Sequence, residues 1–265
     1  NKATNSGGAI YVTGNTSTPA SEFYNETIRS GIVSGGGTNF AIDCFSSLAE
    51  LKKMIGKELT RYRRTDGSIR MLGDLTLNGD LTITGGLWVG KSGETLTATL
   101  SGDKLTAGYF MFQRGTYTIN ADIDAVYGYL SYNGTFEVNS TIHTTGANGE
   151  VLYINGKVTL NDGAVLDSDN SVFINRADAV LTMKPGSKVD SNVSITTSGA
   201  KLYIDATGMA AGASANITGT VTNSGNGTIA VVGNDKLEAS IVNGKVVLAA
   251  KPAAKIGEQG YATIK

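Results

Sequence analysis

From Leu75 to Leu248 the chain repeats one pattern, in which a single residue sits between two apolar neighbours about once every 21 residues. The central positions are Thr76, Thr97, Thr118, Glu137, Thr159, Thr182, Tyr203, Ala230 and Val247. Their flanks, from Leu75/Leu77 through Phe136/Val138 to Val246/Leu248, are all apolar. Alternation of this kind marks a strand with one buried face, because successive side chains point to opposite sides. A repeat of about 20 to 50 residues marks a solenoid, in which one turn cannot bury its own apolar face and stacking supplies the core. A second apolar segment recurs near Leu87-Trp88-Val89, Tyr109–Phe112, Leu130–Tyr132, Leu152-Tyr153-Ile154 and Val172-Phe173-Ile174. Two or three short strands per turn, parted by corners rich in Asn, Asp, Ser and Gly, fit a parallel β-helix. The expected fold is thus all-β, a right-handed parallel β-helix of about 21 residues per turn, its hand following from the rule for parallel crossovers. Nine turns at ~4.8 Å spacing make a rod of about 40 Å.

One segment breaks the pattern. Ser47-Leu48-Ala49-Glu50 fits a capping box, in which the Ser side chain and the Glu three residues on satisfy the first helical amides. Leu48, Leu51, Ile55, Leu59 and Tyr62 then follow at helical spacing, predicting a short amphipathic helix near 47–62. Gly56 weakens it by about 1 kcal/mol relative to Ala. Such a helix could cap an open solenoid end or be an excursion from one continuous rod, and the second is favoured. Residues 1–43 also look β-like, with Ala9-Ile10-Tyr11-Val12 the clearest segment. The expected organisation is β-helix turns over 1–43, helix and connector over 44–71, the main β-helix over 72–250, and a linker over 251–265.

Composition narrows the class. The chain has 265 residues with 35 Gly, 3 Pro and a formal net charge of −1, so apolar content is ample and disorder is not expected. A near-neutral balance gives no reason to expect a nucleic-acid partner. Cys44 is the single cysteine, which excludes a disulfide within the chain and a cysteine-based metal site. No apolar run approaches the ~18 residues of a membrane-spanning helix. A chain opening at Asn1 reads as a mature or excised fragment.

Several short stretches carry a resemblance. Phe45-Ser46-Ser47-Leu48-Ala49-Glu50 is followed by Ser68-Ile69-Arg70-Met71-Leu72-Gly73-Asp74-Leu75-Thr76-Leu77 and Asp80-Leu81-Thr82-Ile83. This resembles the module opening of large cell-surface, adhesin-like proteins of Gram-positive gut bacteria, where a "Y-A-T-L-x-E-A" helix leads into "I-x-L-L-x-D-V-T-L" and β-helix turns of the pectin-lyase-like kind. Gly260-Tyr261-Ala262-Thr263-Ile264 matches the same opening, and Gly7-Gly8-Ala9-Ile10-Tyr11-Val12 resembles the "G-G-A-I-Y-V" turns that end a preceding module. Phe45 and Ser46 depart from the commoner Tyr-Ala. The resemblance implies the tail of one module, one whole module and the start of the next. It also implies an extracellular, cell-surface or secreted setting and a role in display and adhesion. It carries over no functional residues, because the shared motif is structural.

Candidate chemistry is sparse. A polysaccharide hydrolase needs two or three carboxylates converging on one face, whereas Glu137 is the one acid in the column of central residues. Asp122-Ile123-Asp124 and Asp167-Ser168-Asp169 are the two candidate metal pairs, but both lie at expected corners, where Asp caps backbone amides. His143 is the one histidine and reads as a surface residue among Thr141, Thr144 and Thr145. Cys44 reads as a small buried hydrophobe. The Thr column is explained by β-branched stacking. An ice-binding surface would want a second column, and Asp74, Thr95, Thr116, Thr135, Lys157, Val180 and Lys201 breaks down at Lys157. Residues 46–70 are basic, with Lys52, Lys53, Lys57, Arg61, Arg63, Arg64 and Arg70 against Glu50, Glu58 and Asp66, as a solvated outer face would be.

Trp88, Tyr153 and Phe173 alternate with Leu87, Leu152 and Val172 and so point outward, where an aromatic stripe could stack on sugar rings; otherwise they cover a loop or the helix. The expectation is a non-enzymatic structural or adhesive module, with no cofactor and no metal. Its partners would be further modules of the same chain and a cell-surface or host polysaccharide. A glycan-binding module is the alternative, and a polysaccharide lyase or hydrolase the third reading.

Overall fold

A computed structural model describes residues 74–252, except 78, 91, 92, 132, 147, 148 and 150, together with the strand segments Ala41–Ile42, Leu59–Thr60 and Ile69–Met71. The chain winds alternately through two long parallel sheets. One contains, in order, Leu75–Leu77, Leu96–Gly102, Gly115–Ile119, Gly134–Val138, Lys157–Leu160, Val180–Met183, Lys201–Asp205 and Thr228–Val232. The other runs from Ile69–Met71 through Leu81–Val89, Lys104–Phe112, Asp122–Leu130, the pair Thr141–Thr144 and Leu152–Ile154, Val165–Ile174 and Lys188–Ile195 to Val221–Asn223. Each strand of a sheet pairs with the strand one turn later, which defines a parallel β-solenoid with offsets of about 22 residues. Among the described residues no helix is long and apolar enough to cross a membrane.

The alternation read from the sequence is the alternation that buries the core. Tyr117, Ile119, Phe136, Val138, Val158, Leu160, Leu181 and Leu202 line the interior, while Thr118, Glu137, Thr159, Thr182 and Tyr203 between them face outward. In the second sheet the long strands bend midway. Two partly exposed residues follow one another at Val126-Tyr127, where strict alternation would bury one of them. The break turns one long strand into two faces. Small buried residues fill the inside of the bend at Ala107, Ala125, Thr144, Ser168 and Ser191, where larger side chains would collide.

The middle of the core is aromatic. Tyr117 and Phe136 stack at 5.3 Å, and Phe112 meets both edge-on at 5.3 and 6.0 Å. The ring of Phe110 lies over Gly128, its partner on the next turn, so closely that a Cβ there would come within 2.0 Å of it. Glycine at 128 is therefore a packing requirement.

The structure departs from the sequence pattern at three places. The parallel ladder aligns Thr118 with Thr99 and Thr116 with Thr97, so Thr97 and Thr76 lie two residues out of the column assigned to them. A slip of two keeps every side chain on its face, so core membership was right while the register was not. Val246, Val247 and Leu248 belong to no parallel turn. Leu237–Val242 and Lys245–Ala250 form an antiparallel hairpin, which also pairs with residues 212–221 through Leu248, Val246 and Gly244. Its apolar alternation imitates the repeat because it covers the same core. Leu59–Thr60, placed at the end of the 47–62 helix, is a strand antiparallel to Arg70–Met71. The rest of that helix, residues 1–40, Cys44 and the module-like segment at 260–264 lie outside the described residues.

The hairpin carries an ion that finishes the stack. Lys245 Nζ donates to the carbonyls of Ile217, Thr218 and Gly219, with 2.8 Å to the last. These carbonyls belong to the last turn, where no further strand would take them up. Lys245→Met keeps the stem and removes the donor. The expected outcome is a loss of about 1–3 kcal/mol in denaturant unfolding, with concentration-dependent self-association by light scattering.

A second prediction concerns Tyr117, whose phenol donates to Arg114 O at 3.0 Å. Burial pushes its pKa up from 10.0 to about 12. The folded state thus favours the neutral phenol. Stability from this group is full below pH 10 and is lost as pH rises through about 12, by roughly 2–3 kcal/mol in all. Tyr117→Phe flattens this alkaline loss. Equal slopes for the two proteins between pH 10 and 12 would contradict the assignment.

Candidate functional site

Because the strands stack in register, outward side chains form columns along the solenoid. One column runs Trp88, Met111, Tyr129, Tyr153, Phe173, Ser194 and Thr222. Beside it, one alternation earlier, lie Gly86, Tyr109 and Tyr127. The three aromatic residues singled out in the sequence do share a column, but Met111 and Tyr129 separate Trp88 from Tyr153. Tyr109, Tyr127 and Tyr129 bridge the gap, and all six rings are half-buried. The alternation Tyr127-Gly128-Tyr129-Leu130 is the signal that places two of them outward; the segment expected at Leu130–Tyr132 lies two residues earlier, at Gly128-Tyr129-Leu130.

The rings contact one another in sequence. Trp88 Nε1 donates to the Tyr109 hydroxyl at 2.9 Å, with the rings edge-on at 6.0 Å. Tyr109 and Tyr127 stack at 5.2 Å, Tyr127 meets Tyr129 edge-on, and Tyr129 and Tyr153 stack at 4.6 Å with 7° between planes. Phe173 closes the series at 5.9 Å from Tyr153, and its next neighbour is Ser194. Rings stacked along the axis turn their faces to each other. Sugar stacking uses ring faces, so Phe173, beside a small residue, has the face best placed for it.

The other half of the bent sheet carries charge. Thr106, Asp124, His143, Asp167 and Asp190 form one outward column. Lys104 Nζ binds Asp124 at 2.8 Å, and that hydrogen bond holds the Lys104 pKa above its usual value. His143 Nδ1 lies 3.0 Å from Asp167 Oδ2, and Nε2 lies 3.9 Å from Asp124 Oδ1. Asp190 receives bonds from Lys188 and, at 2.6 Å, from the Thr218 hydroxyl, which lower its pKa in that order of importance. The two candidate metal pairs part company here. Both pairs lie within strands, Asp122–Leu130 and Val165–Ile174, and not at corners as expected, although Asp122, the first residue of its strand, does accept the Thr141 amide at 2.8 Å. Asp167 and Asp169 instead converge with His143, and one ligand atom from each lies within 4.8 Å of the others.

At the corner after the first sheet, amides form a ladder. Asn139 donates to Asn120 and Asn161 donates to Asn139, both at 2.7 Å. Asn161 also donates to Glu137 Oε2 at 3.0 Å, so the single acid of the Thr column is held by the ladder. A shallow cavity of about 40 Å³ between residues 183–187 and 204–216, lined partly by Met183, Ile204 and Met209, has room for water and not for a sugar.

The fold class is a parallel β-solenoid with laddered outer faces. No protein family, curated protein or solved structure matches the chain.

The aromatic column is a cohesive element if its stacking holds the turns together. Each aromatic pair contributes about 0.5–1.5 kcal/mol beyond its buried area. Tyr153→Ala removes two contacts and is expected to lower stability by about 1–3 kcal/mol in urea unfolding, while Tyr153→Phe stays near the parent. Equal midpoints for Tyr153→Ala and the parent protein would remove the column from the structural account.

Proposed function

We propose that the chain is a non-catalytic structural and adhesive module of a multi-module bacterial surface protein, set outside the cell and displaying an elongated polar face. One observation carries this reading: outward side chains are joined from turn to turn by amide, aromatic and charge ladders. A solenoid braced in this way resists bending and shear, as a projecting spacer must. Its contacts with other surfaces would be weak singly and gain strength through repetition along the parent chain. The resemblance of its short motifs to surface-protein modules of Gram-positive gut bacteria supports the same reading. Hydrolysis of a polysaccharide is disfavoured because three acids of the outer columns already have partners. Asp124 is held by Lys104, Asp190 by Lys188 and Glu137 by Asn161.

The second reading is a glycan-binding module on the aromatic column, with Phe173 as the stacking ring, Tyr153 beside it and Trp88 at the far end of the ring series. Its support is the continuity of half-buried rings over successive turns. A glycan-array screen of the purified 265-residue chain, run in calcium and in EDTA, separates the two. The structural reading expects no selective signal in either buffer. Selective binding that disappears in Phe173→Ala would replace it with the glycan reading.

A further inference from the structure

The charged column contains a feature that turn-bracing does not account for. Asp167 and Asp169 are alternate residues of the strand Val165–Ile174, and on a regular strand such residues stand about 7 Å apart. Here the register shifts between Asp167 and Ser171. Irregularities of this kind re-aim side chains and are frequent beside functional sites. At this bend Asp169 stands with Asp167 and the His143 imidazole, with a ligand atom of each within 4.8 Å of the others. His143 comes from the preceding turn, so two turns contribute to the group.

We propose that His143, Asp167 and Asp169 form a binding site for a first-row divalent transition cation of the zinc type. Imidazole and carboxylate bind such ions at about 2.0–2.2 Å, so drawing the three groups together calls for small side-chain motions. Asp169 is exposed and His143 and Asp167 are partly exposed, which leaves that motion open and gives the ion an entry path. An imidazole donor separates this site from a calcium site, which takes oxygen ligands throughout.

The surrounding residues place a carboxylate on the side of the imidazole's other nitrogen, where a small approach would let it accept that nitrogen's proton. With Nδ1 turned to Asp167, Nε2 faces Asp124 at 3.9 Å, and Lys104 fixes Asp124 at 2.8 Å. In the metal-free geometry Nδ1–H donates to Asp167 Oδ2 at 3.0 Å; a bound cation takes that proton's place on Nδ1, and the neutral ring then carries its proton on Nε2, toward Asp124. Asp124 is thus a positioning residue. Water would complete the coordination on the solvent side.

His143 is the one histidine in the chain, so the test needs no resonance assignment. The full chain carrying Cys44→Ser, which removes the competing thiol, is labelled with nitrogen-15 and titrated separately with Zn²⁺ and Ca²⁺. The expected result is saturable 1:1 calorimetric binding of Zn²⁺ below about 1 mM, with the Nδ1 resonance moving and Ca²⁺ without effect. Asp169→Asn is expected to weaken Zn²⁺ binding at least tenfold, and Asp124→Asn by about tenfold. Amide spectra of both variants should keep the parent's pattern away from the substituted turns, since neither side chain belongs to the apolar core. Imidazole resonances unmoved by Zn²⁺, equal response to Ca²⁺, or unchanged affinity in Asp169→Asn would each overturn the site and leave His143 as a hydrogen-bond partner of Asp167.

Discussion

The structure depends on one constraint: each strand hydrogen-bonds to the strand one turn later, in parallel and in register. A parallel ladder repeats every ~4.8 Å along the axis, so a side chain's nearest outward neighbours are its counterparts one turn before and after. Every face then becomes a set of columns. Apolar columns close on themselves as the core, and polar or aromatic columns must interact down the axis. Tyr129 on Tyr153, Asn161 on Asn139 and His143 on Asp167 are three chemical solutions to this one geometric demand.

That constraint explains what was legible in the residues and what was not. Period-two alternation reports which face a side chain occupies, and Phe136, Val138, Val158 and Leu160 are buried as their spacing requires. Alternation is blind to slips of two. Turn lengths vary with the corners, as when Thr116 pairs with Thr135, 19 residues on, and Thr135 with Lys157, 22 residues on. Thr97 and Thr76 therefore fall outside the column that their spacing suggests, while facing the same way as its members. The same blindness let Val246 and Leu248 pass for another turn, since a hairpin strand over a core alternates just as a solenoid strand does.

The candidate site was half legible for a related reason. Trp88, Tyr153 and Phe173 could be placed outward from alternation alone. Their neighbours in the column depend on where each strand starts, and that is set by corners. Tyr109, Tyr127 and Tyr129 became part of the ladder only when the pairing was known. The approach of His143 to Asp169 was out of reach, because it rests on a break in register. No periodic reading forecasts such a break, and Asp167-Ser168-Asp169 looks like any other acidic corner.

The far end of the solenoid bears on how such a module can be used. In-register stacking would continue indefinitely unless something occupied the last strands. At the end of the sheet that finishes with Val221–Asn223, the hairpin 237–250 does so by pairing antiparallel with residues 212–221, and Lys245 takes up the carbonyls of Ile217, Thr218 and Gly219. A further parallel turn cannot be added there without displacing both. In the reading proposed above, neighbouring modules would then be joined through the chain and not through a shared sheet. Each would keep its own core and unfold on its own, with stiffness confined to the modules and bending to the joints between them. A surface protein built in this way spreads weak contacts over an uneven target, because its rods can reorient independently while each keeps its outer columns in fixed register.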